Sequence, residues 1–363
     1  MLHDALSRRC FLTAAGLLPG CAAAPPLGSE SVPEYRRGGV IYRRLGQTDL
    51  WVSLLSFGSH TDPADRVKVA PGKTALTPQG QARRDRIITR AFDLGVNLLD
   101  VYETESQLEP AARLVQGRRD KVLISLAHDV TNQGIERACR LFGHVDLYRF
   151  HTADIDGPAL ETWDRLRKAQ EAGKIRAIGI ATHIERTMTL ALQELEGLDY
   201  MFFPYNFIHA RADYSQFLPQ ALRQGVGLIA MKPLASGSIV KLDPRARAGA
   251  APEREHLQLW QRRNRPILPA AVAELTKTLD RLPEETLCQA ALRFVYSRPF
   301  LATAITGMFD DQWLEENYQA LTRYQEMRSE ERAALDAASR LPREFGASWL
   351  PEHYRWLEEQ WRA

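Results

Sequence analysis

From residue 41 onward the chain alternates short, nearly unbroken apolar runs with longer stretches whose apolar residues recur at helical spacing. The runs are Val52–Phe57, Asn97–Tyr102, Lys121–Ala127, Val145–Phe150, Ile175–Ala181, Tyr200–Tyr205, Gly227–Met231 and Leu301–Ile305, eight in all. Apolar character on both faces predicts parallel strands covered on each side. Between them Arg84–Leu94, Gln107–Val115, Gly134–Phe142, Leu160–Ala172 and Tyr214–Gln224 predict helices, with Gly95, Gly173 and Gly225 as C-terminal stops. Eight βα units with no GxGxxG loop after the first strand predict an α/β fold of the (β/α)8 TIM-barrel type over an open dinucleotide-binding sheet.

Three additions flank that barrel. Tyr42–Trp51, turning at Gly46-Gln47-Thr48-Asp49, reads as a β-hairpin plugging the base. Lys241–Pro266, rich in Arg and Pro, reads as an insertion after the seventh strand. Ser329–Ala338 and Pro351–Trp361 predict two extra C-terminal helices packed outside. The expected organisation is an export signal over 1–24, a flexible tether over 25–40, the barrel over 41–325 and a helical extension over 326–363.

The leader changes the picture of where the barrel works. Ser7-Arg8-Arg9-Cys10-Phe11-Leu12 has the form of a twin-arginine export signal, and the apolar run Phe11–Leu18 behind it is too short to span a bilayer. Leu18-Pro19-Gly20-Cys21 reads as a lipobox, with Cys21 the lipidated residue; simple cleavage after Ala22-Ala23-Ala24 is the alternative. Both routes predict an exported, periplasmic protein that engages the twin-arginine machinery; on the lipobox reading its one tie to the membrane is a lipid anchor at Cys21.

Composition narrows the partners. With 47 Lys+Arg against 45 Asp+Glu the net charge is +2, so there is no electrostatic footprint for nucleic acid. The four cysteines contain no CxxC pair, which argues against a zinc or iron–sulfur site; Cys139 and Cys288 read as buried free thiols.

In barrels of this kind chemistry sits at the C-terminal strand ends. Those ends carry Gly58-Ser59-His60, Asp100 with Tyr102, Ala127-His128, His151, Thr182-His183, Asn206, Lys232 and Thr306-Gly307. A metal site built from His60, His128, His151, His183 and His209 with Asp100 lacks any ligand spacing within one element.

Five segments, in order, resemble the aldo-keto reductase family over about residues 41–320: Tyr42-Arg43-Arg44-Leu45-Gly46, Gly173-Lys174-Ile175-Arg176-Ala177-Ile178-Gly179-Ile180, Ala230-Met231-Lys232-Pro233-Leu234-Ala235-Ser236-Gly237, Ser297-Arg298-Pro299 and Leu314-Glu315-Glu316-Asn317. The resemblance implies reversible hydride transfer between NADP or NAD and a small-molecule carbonyl or alcohol. It also implies a tetrad of aspartate, tyrosine, lysine and histidine, in which the cation makes a phenol of pKa near 10 useful at neutral pH.

Carried over, the aspartate is Asp100 and the histidine is His151. Glu105 stands at the tyrosine's place, leaving Tyr102 as the substitute acid. Ala127 or His128 stands at the lysine's place, and His128 is the candidate replacement because imidazole titrates near neutrality. On the cofactor side the resemblance implies Gly58, Ser59, Thr182, Asn206, Met231, Lys232, Pro233, Leu234, Glu316 and Asn317. Phe202 replaces a glutamine there and Phe309 an arginine that would grip a 2′-phosphate. The missing residues motivate the other reading, a non-catalytic exported barrel whose mouth binds a small ligand or a partner protein.

Overall fold

A hairpin whose inner residues are Leu45, Leu50 and Val52 needs an apolar surface to cover, and it finds one at the base of a closed barrel. The computed structural model describes residues 32–71, 73–102, 105–127, 129–207, 209–235, 284–325, 328–330 and 361–362. The first sheet consists of β1 (Glu34–Arg37), β2 (Val40–Arg44) and β3 (Trp51–Ser53), all antiparallel. Gly46, in the turn between β2 and β3, has φ +56°, and a Cβ there would lie 2.4 Å from the Gly225 carbonyl oxygen. Only glycine lets the hairpin approach the barrel base this closely.

The chain then crosses into the barrel at β4 (Leu55–Gly58). The single run expected over Val52–Phe57 is therefore two strands in two sheets, because Leu54 gives its N–H to Ile41 in the hairpin while Ala304 donates to the Leu54 carbonyl from the barrel. An unforeseen two-stranded ribbon follows, β5 (Arg66–Ala70) and β6 (Lys73–Leu76). Next come α1 (Pro78–Asp93), β7 (Leu98–Val101), α2 (Leu108–Val115), β8 (Leu123–Leu126), α3 (Asn132–Phe142) and β9 (Val145–His151). The chain continues through α4 (Gly157–Glu171), β10 (Ile175–Ala181), α5 (Glu185–Glu194), β11 (Tyr200–Pro204), α6 (Phe217–Gln224) and β12 (Gly227–Met231). It ends its described course with α7 (Leu287–Tyr296), β13 (Thr303–Gly307) and α8 (Asp311–Gln325).

Strands β4, β7, β8, β9, β10, β11, β12 and β13 pair in chain order, all parallel, and close into one barrel. The eight-stranded expectation holds, and the three glycine stops have left-handed φ of 95°, 72° and 68° at Gly95, Gly173 and Gly225. Helix α1 begins six residues earlier than the apolar pattern suggested: the Thr77 hydroxyl accepts the Gly80 N–H and Pro78 takes the first turn, where its missing N–H costs nothing.

Alternation along each strand separates two cores. Leu98, Leu147, Ala177, Tyr200, Phe202, Ile229 and Ile305 point inside the barrel. Tyr148 and Phe150 point outward against the helices. Arg43 locks the basal sheet to the last unit: its guanidinium donates to the carbonyls of Arg298 and Leu301 at 2.9 Å each and of Tyr296 at 3.1 Å.

Glu34–Arg37, expected as tether, is strand β1 instead. The export signal with Cys21, the insertion over 241–266 and His128 lie outside the described residues. Of the two expected C-terminal helices, residues 329–330 and 361–362 are described, and Trp361 is buried: its indole N–H donates to Glu185 at 2.9 Å and its ring meets His209 at 5.0 Å. Cys139 and Cys288 are free thiols, Cys288 buried and Cys139 half-buried. Among the described residues no helix is long and apolar enough to cross a membrane.

Candidate active site

Three polar residues interrupt the inward faces of three successive strands, and they meet. Asp100 on β7, Ser125 on β8 and Arg149 on β9 are each at most 2% exposed. The Arg149 guanidinium grips the Asp100 carboxylate with two bonds, Nη1 to Oδ1 at 2.6 Å and Nη2 to Oδ2 at 3.0 Å. The Ser125 hydroxyl donates to Asp100 at 2.6 Å and accepts from Arg149 Nη1 at 2.7 Å. A bidentate, hydrogen-bonded geometry of this kind offsets the large desolvation cost of two buried charges. The guanidinium also lies 3.8 Å from the centre of the Phe202 ring and 5.8 Å from that of Tyr102, cation–π contacts strengthened by the dry interior.

Above this pair is the barrel mouth. His151 follows Arg149 by two residues on β9, so both face inward. Its imidazole is open to solvent at one edge yet surrounded by protein. Burial, then the Arg149 charge, hold its pKa down to about 4, with Lys232 adding to this and Asp100 opposing it. His183, after β10, is pushed down to about 3 by burial and by the charges of Lys232, His151 and His209. Both imidazoles are therefore neutral at physiological pH, each offering one N–H and one lone pair.

Tyr102 sits at the end of β7 with its N–H donating to Ser59 Oγ at 2.9 Å and its ring edge-on to His60 at 5.0 Å. It lies one residue past the strand, and its ring turns inward to within 5.8 Å of the Arg149 guanidinium. The structure thus brings Asp100, Tyr102, His151 and the unanticipated Arg149 together. Glu105 opens a 3-10 turn at Glu105–Gln107.

The other rim positions divide by what they touch. Lys232 follows β12 in a left-handed backbone, φ 57°, with its carbonyl held by Asn206 Nδ2 at 3.0 Å and by the Ala235 N–H at 2.9 Å. Burial lowers its pKa to about 8. Asn206 accepts the His209 N–H at 2.9 Å with its other end, so both ends of the amide are engaged by backbone. Thr182 is buried, and its hydroxyl accepts from the Ile184 N–H at 3.3 Å. Met231 lines the interior with Leu123, Pro233 is buried and Leu234 packs half-buried against the outer core. Gly58 is confined by Ile305 and Thr306. Glu316 accepts from the Thr286 hydroxyl at 2.5 Å, and Asn317 is buried on α8. Phe309, where an arginine would grip a 2′-phosphate, stacks on Trp313 at 5.1 Å. Among the described residues no cluster of three His, Cys, Asp or Glu could hold a metal.

Arg149 is the residue that sequence reasoning passed over. The signal was available: counting back two from His151 puts an arginine on the inward face of an otherwise apolar strand. A buried charge there requires a partner, and Asp100 is the carboxylate on the strand two places away.

Residues 72–340 match the family model described as aldo/keto reductase. Among curated proteins, an L-glyceraldehyde 3-phosphate reductase of Escherichia coli O157:H7 is 27% identical over 216 residues, 56% of this chain and 59% of that protein. This match therefore spans less than two thirds of that reductase. A probable voltage-gated potassium channel subunit beta of Arabidopsis thaliana is 26% identical over 313 residues, 77% of this chain and 90% of that one. Among solved structures, an aldo-keto reductase of Bacillus halodurans in its apo form aligns with TM-score 0.60 and 20% identity, covering 82% of this chain and 95% of that one. An aldo/keto reductase of Klebsiella pneumoniae in complex with NADP and acetate aligns with TM-score 0.56 and 19% identity, over 81% and 93%. At these identities the structural matches speak for the fold alone.

Proposed function

The chain belongs to the aldo/keto reductase family, a family of oxidoreductases, and from that premise we propose that its barrel mouth reduces a small carbonyl compound, or oxidises the corresponding alcohol, with a nicotinamide nucleotide. The observation that carries the reading is the meeting of Asp100, Tyr102 and His151 at one end of the barrel, around a fixed charge.

The residues present suit such a cofactor in kind. Lys232 offers a cation to phosphate, Thr182 a hydroxyl to a carboxamide, and Met231 an apolar, polarisable face to a planar ring. Phe309 offers nothing to a 2′-phosphate, which favours NAD at least as much as NADP. A bound reduced nicotinamide supplies the hydride for the carbonyl carbon. The protein's part is to place the oxygen and deliver a proton to it. His151, neutral because burial and Arg149 disfavour its charged form, donates its N–H to the substrate oxygen and fixes its direction. Tyr102 gives the proton to that oxygen as the hydride arrives, and recovers it from solvent after release. Positioned acid catalysis of this sort contributes about 100- to 10,000-fold.

Calorimetry with NAD(H) and NADP(H), followed by turnover on a panel of aldehydes, tests the reading. Binding of one cofactor and turnover reduced at least tenfold in His151→Asn support it. Binding of neither would overturn it in favour of a barrel that only binds a ligand or partner.

We also propose export. Ser7-Arg8-Arg9-Cys10-Phe11-Leu12 and the Cys21 lipobox support a periplasmic, lipid-anchored protein. Fractionation of cells making the wild type, Arg8→Lys/Arg9→Lys and Cys21→Ala tests it. Retention of the twin-lysine variant in the cytoplasm is expected, and release of Cys21→Ala from membranes separates lipidation from simple cleavage.

A further inference from the structure

We propose that Arg149 is the permanent cation of this site, a positioning residue that stands in from the fourth barrel strand for the lysine the third strand lacks. The inference rests on the reductase reading for its consequence, but its physical content belongs to the free protein.

The geometry for a substitute is specific. The third strand ends at Leu126 and Ala127 follows, neither able to carry charge; His128, the other candidate for that place, lies outside the described residues. The Asp100 carboxylate nevertheless has a cationic partner, bound through both oxygens, and that partner projects from β9. One feature makes room for it: Phe202 presents its ring face 3.8 Å from the guanidinium, where the family resemblance implies a polar glutamine. The interior thus receives an arginine between an aromatic plate, the Asp100 carboxylate and the Ser125 hydroxyl, which accepts from Nη1 at 2.7 Å.

Arginine differs from lysine in a way that matters here. A buried lysine loses its proton readily, whereas a guanidinium stays charged at every accessible pH. The cation is therefore constant, and what it acts on are its neighbours: the Tyr102 ring at 5.8 Å and His151 one pleat above. Besides Arg149, the charged and titratable groups bearing on His151 are Asp100 from β7, Lys232 after β12 and His183 after β10. Burial is the larger cause of the neutral imidazole, and Arg149, the largest of these charges, adds to it; the neutral ring can donate to a carbonyl without losing a proton to it.

The test is a histidine NMR titration of the free protein, with His151 assigned by the resonance lost in His151→Asn. Arg149→Lys keeps the charge and should leave His151 titrating near its wild-type pH. Asp100→Asn, whose amide oxygen still accepts from the guanidinium, leaves the cation without its opposing carboxylate, so His151 should titrate lower than in the wild type. Arg149→Met/Asp100→Asn removes both charges, so no unpaired ion is buried and the fold is expected to persist; His151 should then titrate higher than in Asp100→Asn. The same double variant should lose kcat with little change in KM, and Arg149→Lys should keep part of it. A folded double variant, checked by circular dichroism, in which His151 titrates as in Asp100→Asn would overturn the proposal. Absence of turnover in the wild type would count against the reductase reading alone, because the titration decides the role of Arg149 without it.

Discussion

Two aspartates, Asp100 and Asp146, are buried in neighbouring parts of one barrel and are neutralised in opposite ways. Asp146 opens β9 at the base, at 0% exposure, and accepts the Ile124 N–H at 2.8 Å. Arg119 at 2.6 Å and Arg176 at 2.9 Å reach it from partly solvated positions, and His144 approaches to 3.4 Å. Asp100 has one cation, Arg149, and neither partner sees solvent. The basal cluster is a redundant joint between strands at a wet surface. The inner pair is a single, dry contact on which several site residues rest. Redundancy suits a structural role, whereas a lone fixed charge beneath a mouth suits a chemical one.

That contrast predicts its largest effect at Asp100. Asp100→Ala leaves the Arg149 guanidinium buried without its carboxylate, a loss that typically costs about 3–5 kcal/mol. Urea unfolding should show a loss of that size, and Asp100→Leu/Arg149→Met should recover most of it, since an apolar pair of similar volume buries no charge. A loss below about 1 kcal/mol in Asp100→Ala would mean that water reaches the pair, and the distinction between the two aspartates would fail.

Asp146 should be gentler and sensitive to salt. Asp146→Asn keeps an acceptor for the Ile124 N–H and removes only the charge, so a loss of about 1–2 kcal/mol is expected. Because Arg119 and Arg176 are partly solvated, raising the salt should shrink that difference in part. The Asp100→Ala difference should not move with salt. Equal salt dependence at the two sites would erase the contrast.

The same two aspartates show what the sequence could disclose. The barrel was legible because apolar runs covered on both faces have few alternatives, and its eight strands fall where those runs lie. The β5–β6 ribbon was not. Val67, Lys68 and Val69 of β5 are all exposed, so no buried face marks it, and the Pro71-Gly72 pair in the sequence was the available hint. Asp100 and His151 were legible from position and motif. The Arg149 pairing was not, because comparison with a family pattern looks for a lysine at a fixed place on the third strand. The charge had moved to the next strand, and only the barrel's curvature and stagger bring it back to the same point.

The smallest expected effect concerns the neutral imidazoles at the mouth. His151 and His183 have folded-state pKa values near 4 and 3, below the ordinary histidine value of about 6.5. Between those values the unfolded chain binds more protons than the folded one, so stability is fully present above about pH 6.5 and falls as the pH is lowered towards 4. Lowered carboxylates, Asp154 by the Ile155 N–H and then Arg186, Asp311 by Arg86, lose their contribution further down, around and below the ordinary carboxylate range. The window between pH 6.5 and about 4.5 therefore carries the histidine loss, opposed towards its lower end by Asp199, whose carboxyl burial raises. His183→Gln should flatten the pH dependence of the unfolding midpoint in that window, and His151→Gln should do so less, because the open edge of its ring lets solvent screen it. If the midpoint were flat from pH 7 to 4.5 in the wild type, both imidazoles would take up protons in the folded state as they do in the unfolded chain, and neither burial nor the fixed charge of Arg149 would be governing the mouth.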